Sequence, residues 1–97
     1  EGVSILDMAI TYDNLQMVKY LVSQGKDVNE RTRKSGFSAL MCAASYGREE
    51  ITRYLLEQGA DESVQDVKGF RAVDFARKMN KKSILKLLDY DENAPQN

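Results

Sequence analysis

The chain has no histidine, a single cysteine and a single proline in 97 residues, and its charges nearly cancel to a formal net charge of −1. Each shortage removes a class of function. Without histidine, the usual nucleophile and base pairings and all His-containing metal sites are out of reach. The lone thiol, Cys42, permits neither an internal disulfide nor a Cys-based metal cluster, which excludes a disulfide-stapled secreted scaffold and fits a reducing, cytoplasmic or nuclear setting. Balanced charge offers no global field to draw the chain to nucleic acid or to an anionic membrane. No apolar run approaches the roughly 18 residues of a membrane span, and no signal-peptide pattern opens the chain. The glycines are dispersed and form no phosphate cradle. Asp61, Glu62 and Asp66 are not spaced as in a calcium-binding loop. Glu49 and Glu50 open a predicted helix, where negative charge complements the helix dipole. No enzyme, cofactor or metal is expected.

What the chain does have is a repeat. When Gly2 is laid on Gly36 and then on Gly69, at spacings of 34 and 33 residues, the apolar positions fall into columns. Leu6 aligns with Leu40 and Val73, Ala9 with Ala43 and Ala76, Met17 with Ile51 and Ile84, and Leu21 with Leu55 and Leu88. A unit of this length cannot bury its own apolar face and must stack on copies of itself. The middle copy, Gly36 to Val64, reads as turn, helix, turn, helix, turn. In the first copy the spacing predicts an inner helix over Ile5 to Tyr12 and an outer helix over Leu15 to Gln24. Asp13, Gly47 and Asn80 share the column between the helices, and these types are the most at ease in the left-handed backbone region that ends a helix. Gly25 and Gly59 share the stop column after the outer helix. Cys42, beside Ala43 on an inward helix face, reads as a buried small hydrophobe.

The pattern resembles the ankyrin repeat. Gly36, Ser38, Leu40, Ala43, Ala44, Gly47, Leu55, Leu56, Gly59, Ala60 and Asp61 match that motif in the middle copy, as do Gly25, Asp27, Val28 and Asn29 in the first. The resemblance covers about nine-tenths of the chain. It implies an all-α solenoid of three helix-turn-helix units joined by short β-hairpin-like loops, with repeats at about 2–35, 36–68 and 69–90 and a flexible tail at 91–97. The third copy has a basic skin of Arg77, Lys78, Lys81, Lys82 and Lys86 and reads as a C-terminal cap, because a stack needs a polar face where nothing covers it. At the other end, the apolar stretch around Ile5 and Met8 expects a neighbour, so further repeats of a longer parent chain are expected ahead of Glu1. The link from Asn29 to Gly36 is one residue longer than that from Ser63 to Gly69 and lacks a turn Asp, which predicts a bulged, basic tip at Arg31 to Ser35. Asp66 holds that turn position in the next link.

The resemblance also implies where partners bind: hairpin tips and the exposed side of the inner helices form a concave groove. Carried onto this chain, it places Val3, Phe37 and Phe70 in one hairpin column and Tyr12, Tyr46 and Met79 at the inner-helix ends, with Ser45 adjoining. Arg31, Arg33, Lys34, Lys68 and Lys78 border the same groove. Phe37 and Phe70 have a plainer reading as packing between neighbouring hairpins. Idle exposed aromatics are costly, whereas aromatics are enriched where partners anchor. The expectation is a protein-interaction module of a scaffold or adaptor, holding a peptide or protein segment with apolar anchors flanked by acidic residues. The alternative is a structural spacer with an empty groove. Asn29, in its Asp27-Val28-Asn29 setting, resembles asparagines that are hydroxylated in this family.

Overall fold

In the computed structural model, which describes residues 4–31 and 34–88, helices alternate with tight turns in three successive pairs. The pairs are α1 (Ile5–Thr11) with α2 (Leu15–Ser23), α3 (Ala39–Tyr46) with α4 (Glu49–Glu57), and α5 (Ala72–Lys78) with α6 (Lys82–Leu87). The described residues contain no strand. Val3, Arg33 and the segment 89–97 lie outside the described residues, and with them the expected tail and part of the basic tip.

The turn chemistry repeats from copy to copy. Asp13, Gly47 and Asn80 adopt φ of 57°, 70° and 56°, the left-handed region. The next amide in each copy then reaches back to the column alanine: Asn14 N donates to Ala9 O at 2.8 Å, Arg48 N to Ala43 O at 2.9 Å, and Lys81 N to Ala76 O at 2.8 Å. This satisfies a helix-end carbonyl that would otherwise lack a partner. After the outer helices, Lys26 N donates to Leu21 O at 3.1 Å and Ala60 N to Leu55 O at 2.9 Å, closing the same motif twice more. At the helix starts, Ser4 and Ser38 cap α1 and α3 through their hydroxyls. Arg71 holds that column in the third copy, and there Asp74 Oδ2 accepts from Arg71 N at 2.8 Å instead.

The inner helices α1, α3 and α5 pack side by side in one layer and the outer helices α2, α4 and α6 in a second. Because α3 has a neighbour on both sides, every residue from Ala39 to Ala44 is buried. Small side chains at Ala39, Cys42, Ala43 and Ala44 let three helices approach closely. Larger ones at Leu40, Met41, Ile51 and Leu55 fill the space toward the outer layer. Cys42 is wholly buried, and its Sγ lies 3.8 Å from Asp7 O.

Copy position decides which apolar residues are covered. Ile5, Met8 and Met17 are 53%, 49% and 40% exposed, whereas Ala39, Ala72, Cys42, Ile51 and Ile84, which share their columns, are buried. Those columns face the preceding copy. In the first copy nothing described lies there, which is why Met17 departs from its apolar column.

Candidate functional site

The tips of the second and third copies are built as a linked pair. Asp66 Oδ1 accepts from Lys68 N and Phe70 N, both at 2.9 Å, and Asp66 N donates to Phe70 O at 2.8 Å, closing a tight hairpin. Val67 N then donates to Ser35 O at 2.9 Å, tying this tip to the one before it. Gly36 supplies the left-handed backbone that this linkage uses. Its φ is +77°, and a Cβ there would stand 3.4 Å from both Asp66 Cα and Val67 N.

This linkage sets Phe37 and Phe70 over Phe75 of α5. Phe37 meets Phe75 edge-on, with centroids 5.4 Å apart at 88°, and Phe70 meets it at 6.0 Å and 66°. The plainer reading of the two phenylalanines therefore holds in part, since both are half-buried against a third ring. Their remaining surface lines a cleft of about 230 Å³ shared with Ser35, Asp66, Val67, Lys68, Phe75 and Lys78. Lys78 Nζ stands 5.1 Å above the centroid of Phe70.

Of the other predicted residues, Tyr12, Tyr46 and Met79 do not line the cleft. They stand exposed in one register at the C-terminal ends of α1, α3 and α5, at 77%, 48% and 54%. Ser45 beside them is half-buried and Lys34 is exposed. Arg31 is exposed, but its Nη1 donates to Gln65 O at 2.7 Å, so it braces the next copy's turn rather than standing free at a rim. Asn29 is likewise engaged. Its Oδ1 accepts from Asp61 N at 2.8 Å and its Nδ2 donates to Gly59 O at 3.1 Å, so the side-chain amide stitches the first loop to the second.

Two residues outside the sequence-based set shape this side of the molecule. Phe75 shares a column with Met8 and buried Cys42 and so carries the signature of a core residue. Arg48 donates through Nε to Ile10 O at 3.2 Å and through Nη2 to Thr11 O at 2.6 Å, and its guanidinium lies 5.5 Å from the Tyr46 ring centroid. It thus caps α1 while holding Tyr46 in place. Its counterpart Lys81 lies against Gly47, where an added Cβ would meet Lys81 Cδ at 2.9 Å. A long cation in both copies is the only trace of this in the sequence.

Titration and metal chemistry are sparse. Among the described residues no group of three or more His, Cys, Asp or Glu could hold a metal ion, and no helix is long and apolar enough to cross a membrane. Asp61 is held below the usual carboxylate range by the hydroxyl of Ser63, 2.6 Å from its Oδ1, and then by the Ser63 amide.

A family model described as ankyrin repeats (3 copies) matches residues 6–96. The chain belongs to the ankyrin-repeat family. The match fits three stacked helical hairpins with glycines at the tips, and it runs on past the last described residue. A search of curated proteins returned no match. Ankyrin repeats are generally protein–protein interaction modules and typically non-enzymatic.

Proposed function

We propose that this ankyrin-repeat chain is a non-enzymatic interaction module of a scaffold or adaptor protein in the cytoplasm or nucleus. It holds a segment of a partner protein against the hairpin tips and the ends of the inner helices. The observation that carries this reading is the exposed row Tyr12, Tyr46 and Met79. Three large side chains stand in solvent at equivalent positions of consecutive copies, and Lys78, beside Met79 in the sequence, lines a cleft shared by three phenylalanines. Exposed aromatic and methionine side chains in register form the kind of surface that anchors partners. The test is site-specific photo-cross-linking: a benzoylphenylalanine at position 46 should capture protein partners from cell extract, and one at Glu57 on the outer layer should not. Equal capture at both positions would count against the groove.

The uncovered apolar columns favour an accompanying role. Ile5, Met8 and Met17 suit a further helical hairpin stacked ahead of α1 in the same register, as a segment of a longer repeat array would supply. Fusing one consensus repeat ahead of residue 1 should raise the melting temperature, and Met8→Glu should cancel the gain. A fusion that melts with the unfused chain would remove this role.

A further inference from the structure

The cleft between the second and third hairpins differs from the tyrosine row in shape and charge. Its volume of about 230 Å³ lies below the roughly 300 Å³ at which small-molecule sites begin, which suits one side chain of a longer ligand better than a metabolite. Its lining is largely apolar: Phe37, Phe70 and Phe75, packed edge-on against one another, line it together with exposed Val67. Its polar edge is basic. Asp66 lines the cleft too, and its Oδ1 accepts from the two amides of its own turn, which fixes its position and leaves its charge in place. Lys68 and Lys78 meet no carboxylate among the described residues, and Lys78 Nζ is held over the Phe70 face.

That edge has two ammonium groups, Lys68 and Lys78, to one carboxylate, Asp66. The third copy as a whole is also basic: residues 69–88 carry six Lys and Arg against one acid, Asp74, although Lys82 and Lys86 lie on the outer helix α6. Asp74 is engaged with Arg71 and Arg77, at 3.6 Å from each. The cleft therefore carries a net positive edge, with two ammonium groups that meet no carboxylate among the described residues beside an apolar recess.

We propose that this cleft is the anchor subsite of the groove, taking one aliphatic or aromatic side chain of an acidic peptide segment whose neighbouring Asp or Glu pairs with Lys78 and Lys68. The subsite rests on the groove reading above and fixes its polarity, because the acidic part of the partner lies toward the third repeat. Desolvation of the apolar side chain supplies affinity, and the lysines select what flanks it and speed association.

The experiment selects random twelve-residue peptides displayed on phage against the chain, then measures the recovered peptides by fluorescence anisotropy. The variants are Lys78→Glu, Lys68→Glu, Tyr46→Ala and, on the outer layer, Arg53→Ala, each checked for unchanged helicity by circular dichroism. The expected peptides carry Leu, Ile, Met or Phe within two residues of Asp or Glu. Lys78→Glu should weaken them about tenfold at low salt, with the loss shrinking as salt is raised. Recovery of no peptides, of peptides without acidic residues, or of peptides indifferent to Lys78→Glu and Lys68→Glu overturns the subsite. Peptides lost on Tyr46→Ala but indifferent to both lysine variants leave the groove standing without this anchor. Peptides sensitive only to Arg53→Ala overturn the groove itself.

Discussion

Replacing Thr52 with valine should stabilise the fold. Thr52 lies in α4 with no exposed surface, and its Oγ1 has no hydrogen-bond partner although its amide is bonded to Arg48 O at 2.8 Å. The same column holds Val18 in the first copy and Leu85 in the third, both buried, so the site is built for an apolar side chain. A buried hydroxyl without a partner costs about 1–3 kcal/mol. Valine has the same branching at Cβ and nearly the same helix propensity, so little else changes. Allowing for partial relaxation around the hydroxyl, Thr52→Val should gain about 1 kcal/mol, which in a domain of this size raises the melting temperature by about 4–8 °C. The reverse change supplies the control, and Val18→Thr should lower the melting temperature by a similar amount. Thermal unfolding followed by circular dichroism at 222 nm reads both. A melting temperature unchanged or lowered by Thr52→Val, together with a neutral Val18→Thr, would refute the reasoning, because it would mean that the hydroxyl is satisfied.

Arg48→Ala removes two charge-assisted bonds to the end of α1 and should cost about 2 kcal/mol in urea unfolding, with faster amide exchange confined to the turn at Asp13 and Asn14. Arg48→Lys should restore only part of the loss, since one ammonium cannot fork to Ile10 O and Thr11 O together. Asn29→Asp loses the donor to Gly59 O and, once ionised, sets a carboxylate against that carbonyl, so it should destabilise more at neutral pH than in acid, whereas Asn29→Ser should show a pH-independent loss. If both variants are as stable as the parent chain at every pH, the amide bridge is not what matters. Asn29 is also the proposed hydroxylation site, and a gain of about 16 Da localised there after incubation with an asparaginyl hydroxylase is the readout that checks it. Asp61 has its folded value lowered, so its contribution to stability is present above the unfolded carboxylate range and fades as pH falls through the depressed folded value. Ser63→Ala removes the largest cause and should move the Asp61 midpoint upward in a carboxyl-carbon NMR titration. An unchanged midpoint contradicts the assignment.

Most of the fold was legible in the sequence because its punctuation is chemical. Asp13, Gly47 and Asn80 share little beyond tolerance of positive φ, yet all three adopt it, and the helices they separate end within a residue or so of the periodic pattern. Side-chain reach was not legible. Whether a surface arginine stands free or bends back to a carbonyl depends on which backbone the stack brings within reach, so Arg31, a rim residue by sequence position, braces Gln65 O, and nothing in the sequence marks the reach of Arg48 to α1. Phe75 was hidden by its column, whose other members are Met8 and buried Cys42. Only the packing of two hairpin phenylalanines against it opens a recess there. Met17 shows the limit of column reasoning in the other direction, since a position apolar in every copy is buried only where a preceding copy covers it.

The groove is tested most directly by affinity measured in matched pairs. For a partner captured through position 46, isothermal titration should show Tyr46→Ala weakening binding by about tenfold or more, as expected for a central aromatic anchor. Arg53→Ala and Glu57→Ala, on the outer layer, should leave the dissociation constant within about twofold, the size of change expected away from an interface. Equal losses from the two sets, with all variants folded, would contradict the account.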